Sequence, residues 1–182
     1  EMLVFGHSGY PVILFPTSMG CFHENKDMGL IDAAKWYIEQ GLIQIFCPES
    51  NDAQSFYDKG ISPYERIRNY EMYVQFLVQE FIPYIQRTHN THRVAVAGAS
   101  FGGYHAANFA FRHPGYVSHL FSMSGIFNIN SYLDGFHNDT VFYHKLIRFF
   151  SLLLFIAASI TFITFIPSVP ETGTSLLFLI AS

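Results

Sequence analysis

Charge is what this 182-residue sequence has least of. Asp, Glu, Lys and Arg make up 13% of it, about half of the roughly 25% found in an ordinary soluble domain. Half of its residues are apolar and 18% are aromatic, which excludes intrinsic disorder. Ten Lys and Arg against fourteen Asp and Glu leave no basic surplus with which to bind nucleic acid. The net charge of −4 says little about partners. Cysteine is nearly missing, and Cys21 and Cys47 by themselves exclude a disulfide-built scaffold. Internal repeats, Gly/Ser linkers and blocks of like charge are absent too. The length suits one domain and is short for two. The first residue is Glu1, with no basic-then-apolar leader behind it, so the sequence reads as a fragment whose true start is missing.

The scarce charge is also unevenly placed. Residues 1–145 read as a globular domain, whereas residues 146–182 carry only Arg148 and Glu171. Within that tail, 149–166 is a run of 18 uncharged residues, at the lower end of what spans a bilayer. Lys145 and Arg148 on its N-terminal side would keep the body cytoplasmic. Three readings of the tail stand side by side. It is a membrane anchor, the product of a frameshifted or truncated gene, or an apolar helix packed in the core. In the first two cases the final strands of the sheet are missing, and a parallel edge is exposed.

The body alternates. Short apolar runs at 2–5 and 12–15, joined by Gly6-His7-Ser8-Gly9, predict two strands linked by a tight loop. Residues 27–40 space Leu30, Ala33, Ala34, Tyr37 and Ile38 along one face of a helix, stopped by Gly41. Residues 42–47 form a run too short for a helix, hence a buried strand. Pro63 suits the first turn of a long helix to about Arg87, with Tyr70, Tyr73, Leu77, Phe81 and Ile85 as its buried stripe. Further strands at 94–97 and 117–123 flank a helix at 103–112. Strands alternating with helices predict an α/β fold, a mostly parallel sheet with helices on both faces.

Between the 94–97 strand and the next helix lies Gly98-Ala99-Ser100-Phe101-Gly102-Gly103, a G-x-S-x-G match. The pentapeptide alone is weak, but its setting is that of a nucleophile elbow. Reversing the chain around one residue forces Ser100 into a strained conformation. Side chains at 98 and 102 would collide in so sharp a turn, and glycine has none. Gly103 lets the helix close on the neighbouring strand. Ser100 then stands at the C-terminal edge of the sheet, where open α/β sheets bind ligands. The helix N-terminus behind it favours developing negative charge. The plain alternative is a glycine-rich strand–helix turn with a capping serine. In this scheme Phe101 N–H is one oxyanion donor. The second comes from the loop Pro16-Thr17-Ser18-Met19-Gly20 after an earlier strand, through Ser18 or Met19, unless that loop is an ordinary strand end.

With these residues in view, the chain resembles the putative-esterase family of α/β-hydrolases. Relatives there include esterase D-type S-formylglutathione hydrolases, feruloyl and other carbohydrate esterases, and mycolyltransferases. The resemblance is carried by YPVILFPTSMG, DAAKWYIEQGLIQIFCPES, VAVAGASFGGYHAANFAFRHP and SMSGIFNINSYLDG, over about residues 2–145. It implies an α/β-hydrolase fold, Ser100 as nucleophile, small-molecule esters as substrates, and no metal or cofactor. The family's acid and histidine follow the serine, after two further strands. Here Asp134, His137, Asp139 and His144 crowd into one short stretch, and no triad role is carried onto them. The resemblance therefore implies a serine carboxylesterase impaired for want of its acid and base. The alternative is a non-catalytic remnant or membrane-tethered binding module that keeps the pocket. Oligomeric state is not legible.

Other candidates are weaker. His89-x-x-His92 lacks a third ligand, and Cys21, His23, Glu24 and Cys47 lack metal-site spacing. Cys47 suits a buried apolar position. His105, one turn beyond Ser100, is expected to be held by helix packing, and Ser50 and Asp52 to line the substrate pocket. The Tyr and Phe stripe over 64–85 has no interleaved basic groups and is core, not a nucleic-acid platform.

Overall fold

A computed structural model describes residues 1–138, Val141 and His144, and the backbone of Leu177–Ala181. Its strands are β1 (Met2–Phe5), β2 (Tyr10–Phe15), β3 (Ile43–Pro48), β4 (Val94–Ala99), β5 (Val117–Met123) and β6 (Leu177–Ala181). They form one sheet in the order β1-β3-β2-β4-β5-β6. All neighbours are parallel except β1, which runs antiparallel to β3 with Leu3 opposite Cys47. The tight loop between the first two strands does not make them a pair. Gly6 (φ 100°) and Gly9 (φ 104°) carry the chain past β3, which lies between them.

Along β2, Ile13 and Phe15 face one side and Leu14 the other; on β3, Phe46 opposes Ile45 and Cys47. This two-residue alternation splits the interior into two cores. The larger lies under α4 (Pro63–Phe76), α5 (Ile82–His89) and α6 (Phe101–Arg112). The expected stripe Tyr70, Tyr73, Leu77, Phe81 and Ile85 is buried there. The start of α4 is fixed by a reciprocal cap: Ser62 Oγ accepts from Glu65 N–H (3.3 Å), and the Glu65 carboxylate accepts from Ser62 N–H (3.0 Å). The long helix is not uniform. Leu77–Phe81 widens to a π turn just ahead of Pro83, which has no N–H to offer the carbonyl four residues back.

The helix expected over 27–40 is instead three short pieces: α1 (Glu24–Asp27), α2 (Leu30–Ala33) and α3 (Lys35–Glu39). Gly29, at φ 80°, turns the chain left-handed and breaks the first from the second. The buried residues of this segment are Asn25, Ile31 and Ile38, while Trp36 and Tyr37 are exposed. The expected bare edge on β5 is also corrected. β6, drawn from the apolar tail, pairs along it with Phe178 opposite Leu120. The 149–166 segment, expected as a possible membrane helix, lies outside the described residues. Among those that are described, no helix is long and apolar enough to cross a membrane.

Candidate active site

β2, β3, β4 and β5 are parallel, so the segments after all four emerge at one edge of the sheet. β4 ends in a tight reversal at Ser100, whose backbone stands at φ 54°, ψ −119°. A non-glycine residue held there costs about 1–3 kcal/mol and persists only under external restraint. Ser100 N–H donates to the Met123 carbonyl of β5 (2.9 Å), and its own carbonyl accepts from Ile126 N–H (3.1 Å) and Tyr104 N–H (3.3 Å). Ser100 is half-buried. Among the described residues its hydroxyl has no hydrogen-bonded base.

The glycines are there for space. A Cβ on Gly98 would overlap the backbone of Gly102. One on Gly102 would stand 2.5 Å from the Pro16 carbonyl oxygen, and one on Gly103 would stand 2.8 Å from Ser122 Oγ. Gly102 thus lets the end of β2 close on the start of α6, which brings the 16–20 loop beside Ser100. Within α6, Tyr104 N–H is the first with a backbone partner, Ser100 O. The amides ahead of it, Phe101 first, point outward from the helix N-terminus.

The loop is braced on all sides. Glu24 takes both the Thr17 N–H (2.7 Å) and the Thr17 hydroxyl (2.8 Å). Gly20 N–H donates to the Thr17 carbonyl (3.0 Å), and Ser50 Oγ donates to the Gly20 carbonyl (3.2 Å). Met19, at φ 58°, gives its N–H to Asp52 Oδ2 (3.1 Å). Of the two amides left open by sequence, that of Met19 is engaged. That of Ser18 has no acceptor among the described residues. Ser50 and Asp52, expected to line a pocket, both hold this loop through hydrogen bonds.

Asp52 is buried, and its other oxygen accepts from His105 Nε2–H (2.9 Å). That donor role leaves His105 Nδ1 to accept from the Tyr70 hydroxyl (3.1 Å), which in turn accepts from Asn108 Nδ2 (2.9 Å). A second buried histidine continues the network. His144 Nε2–H donates to Glu71 (2.7 Å), and its Nδ1 accepts from the Tyr104 hydroxyl (2.9 Å). Arg112 closes on Glu71 through both terminal nitrogens (2.8 and 2.6 Å). Burial pushes Glu71 up, but hydrogen bonds from His144 and Arg112 outweigh it and bring the carboxyl down to about 2. Burial also depresses His144, against the pull of Glu71, so the ring is a neutral donor. Neither His105 nor His144 bonds to Ser100.

Several other candidates have partners of their own. Asp134 pairs with Arg66 (2.6 Å) and Lys59 (3.1 Å), and Arg66, then Lys59, hold it below the usual carboxylate range. His89 bonds to Gln44. Burial pushes the Cys47 thiol up to about 12, so it is no thiolate. Among the described residues no group of His, Cys, Asp and Glu is placed to hold a metal ion. Sequence reasoning missed the Asp52–His105 pair, because its partners lie 53 positions apart and no local pattern joins them.

The sequence profile described as Putative esterase matches residues 7–149. No curated protein matches the chain. Among the solved structures that share the fold are three with these likenesses. A ferulic acid esterase is 21% identical, with a TM-score of 0.51 over 67% of this chain and 47% of its own. MPT51 (FbpC1) of Mycobacterium tuberculosis is 20% identical, with a TM-score of 0.53 over 72% and 48%. An S-formylglutathione hydrolase from Agrobacterium tumefaciens is 20% identical, with a TM-score of 0.53 over 78% and 61%. The chain therefore spans about half the length of these proteins, and at such identities the likeness is one of fold.

Proposed function

This chain belongs to the Putative esterase family, and we propose that it carries the nucleophile and oxyanion half of a serine carboxylesterase site. Ser100 Oγ attacks the carbonyl carbon of a small-molecule ester. The resulting oxyanion is held by the N–H groups of Phe101 and Ser18. The alcohol leaves with the serine proton, and water releases the acid from acyl-Ser100. The observation that carries this reading is the backbone of Ser100 at φ 54°, ψ −119°. Strain of that kind, restrained from β5, holds the hydroxyl clear of the sheet beside a helix N-terminus. Ser18 is preferred to Met19 because Asp52 already takes the Met19 amide.

A serine hydroxyl with no base is a poor nucleophile. Losing the base in a serine hydrolase costs on the order of a million-fold in turnover, with roughly a thousand-fold surviving from the oxyanion hole and binding. The proposed chemistry in this chain is therefore slow acylation with little turnover. A fluorophosphonate probe tests it over a long incubation. The expected result is one adduct on the tryptic peptide 94–112, absent from Ser100→Ala. A folded wild-type chain that takes no adduct overturns the proposal and leaves a binding module on an esterase fold.

A further inference from the structure

In the loop after β2, Thr17 N–H goes to Glu24 and Gly20 N–H to Thr17. Pro16 has no N–H, and Met19 N–H goes to Asp52. Ser18 is what remains, and it sits in a tight turn, closed by Gly20 N–H on the Thr17 carbonyl, whose geometry the next residue helps to hold. Met19 sits at φ 58°, a left-handed conformation that a non-glycine side chain resists, so some outside contact must hold it. The contact present is Asp52 Oδ2. Asp52 is itself immobilised twice. Its carbonyl accepts from Tyr57 N–H (3.0 Å) and Ser55 N–H (3.2 Å), and its Oδ1 accepts from the buried His105, whose ring stacks on Tyr70 with centroids 5.4 Å apart.

We propose that Asp52, clamped by His105, is the positioning residue that sets the Ser18 amide toward the oxyanion. The inference rests on the reading of Ser100 and Ser18 given above. His105 lies on α6 five positions after Ser100, so the helix that presents the nucleophile also anchors, through one carboxylate, the loop that presents the second donor. The two halves of the oxyanion site are thereby tied to one rigid element. What Asp52 must supply to Met19 is an acceptor oxygen, not a charge. Asn keeps that oxygen and turns its amide toward His105, which can accept by changing tautomer. Ala keeps nothing.

The test uses the full chain. The rate of phosphonate adduct formation at Ser100 is measured against probe concentration for wild type, Asp52→Ala and Asp52→Asn, per mole of folded protein. Hydrogen exchange at the Met19 amide is followed in parallel. Asp52→Ala is expected to lower the maximal rate about 100-fold, the order of one oxyanion donor, with the half-saturating concentration unchanged and the Met19 amide exchanging freely. Asp52→Asn is expected to restore slow exchange and most of the rate. If Asp52→Ala does not fold, His105→Phe keeps the ring and removes the clamp, and the same pattern is expected at about 10-fold, a partial loss of that donor. Wild-type labelling with an undiminished rate in Asp52→Ala, or in the His105→Phe stand-in, overturns the positioning role alone. So does an Asp52→Asn as slow as Asp52→Ala. No adduct on the wild-type chain overturns the Ser100 reading and this inference together.

Discussion

On one face of the sheet, α4, α5 and α6 bury a continuous aromatic core in which Phe56 lies against Tyr70 (centroids 4.8 Å), Phe101 (5.4 Å) and Tyr104 (5.8 Å). On the other, three helices of a turn each cover Leu14, Ile45, Cys47 and Ala97 with little more than Ile31 and Ile38, and leave Met28, Trp36, Tyr37 and Leu42 in solvent. The thick face also holds the polar network from Met19 through Asp52 and His105. The elbow is thus backed by the well-packed side, while the thin side only closes the sheet. Rigidity is concentrated where a strained serine has to be held.

Truncations separate the faces most sharply. Phe56→Ala removes a fully buried ring from the thick face and should cost about 3–5 kcal/mol, whereas Ile38→Ala on the thin face should cost about 2 kcal/mol, the lower end for a buried aliphatic. Denaturant unfolding measures both, and equal losses would erase the distinction between the faces. Acid should act on the thick face next. Glu71 is held near 2 in the fold against 4.5 ordinarily. Its contribution is therefore complete above pH 4.5 and lost as pH falls toward 2. His144 is depressed below 6.5, so protons favour the unfolded chain from about pH 6.5 downward. Both effects have one sign, and the melting temperature should fall on acidification. In Glu71→Gln the lower limb of that curve should flatten. A wild-type melting temperature constant from pH 7 to 3 would contradict the network. The smallest effect is expected at Trp36, 60% exposed, where Trp36→Ala should stay within about 0.5 kcal/mol in the same unfolding measurement.

The same contrast explains what was legible beforehand. The thick face was written in local signals: a stripe at helical spacing from Tyr70 to Ile85, a Pro63 suited to a first helical turn, and a Gly-x-Ser-x-Gly between an apolar strand and a helix. The thin face misled, because Leu30, Ala34 and Ile38 have helical spacing, while Gly29 at φ 80° cuts off the residues before Leu30 and Ala34 divides α2 from α3. Nothing in the periodicity of 27–40 registers that turn. The edge partner of β5 was illegible for a different reason. The apolar composition of 177–181 does not by itself mark a strand, and only its pairing with β5 shows one.

What the order of residues determined by itself was the alternation of strand and helix and the place of Ser100. Both depend on the nearest few neighbours, through side-chain spacing and the steric demands of a tight reversal. Which amide of the 16–20 loop stays free was decided only by the tertiary fold. That choice turns on Asp52, 33 positions from Met19, and on His105 behind it. A hydrogen bond between distant segments leaves no trace in the sequence of either one.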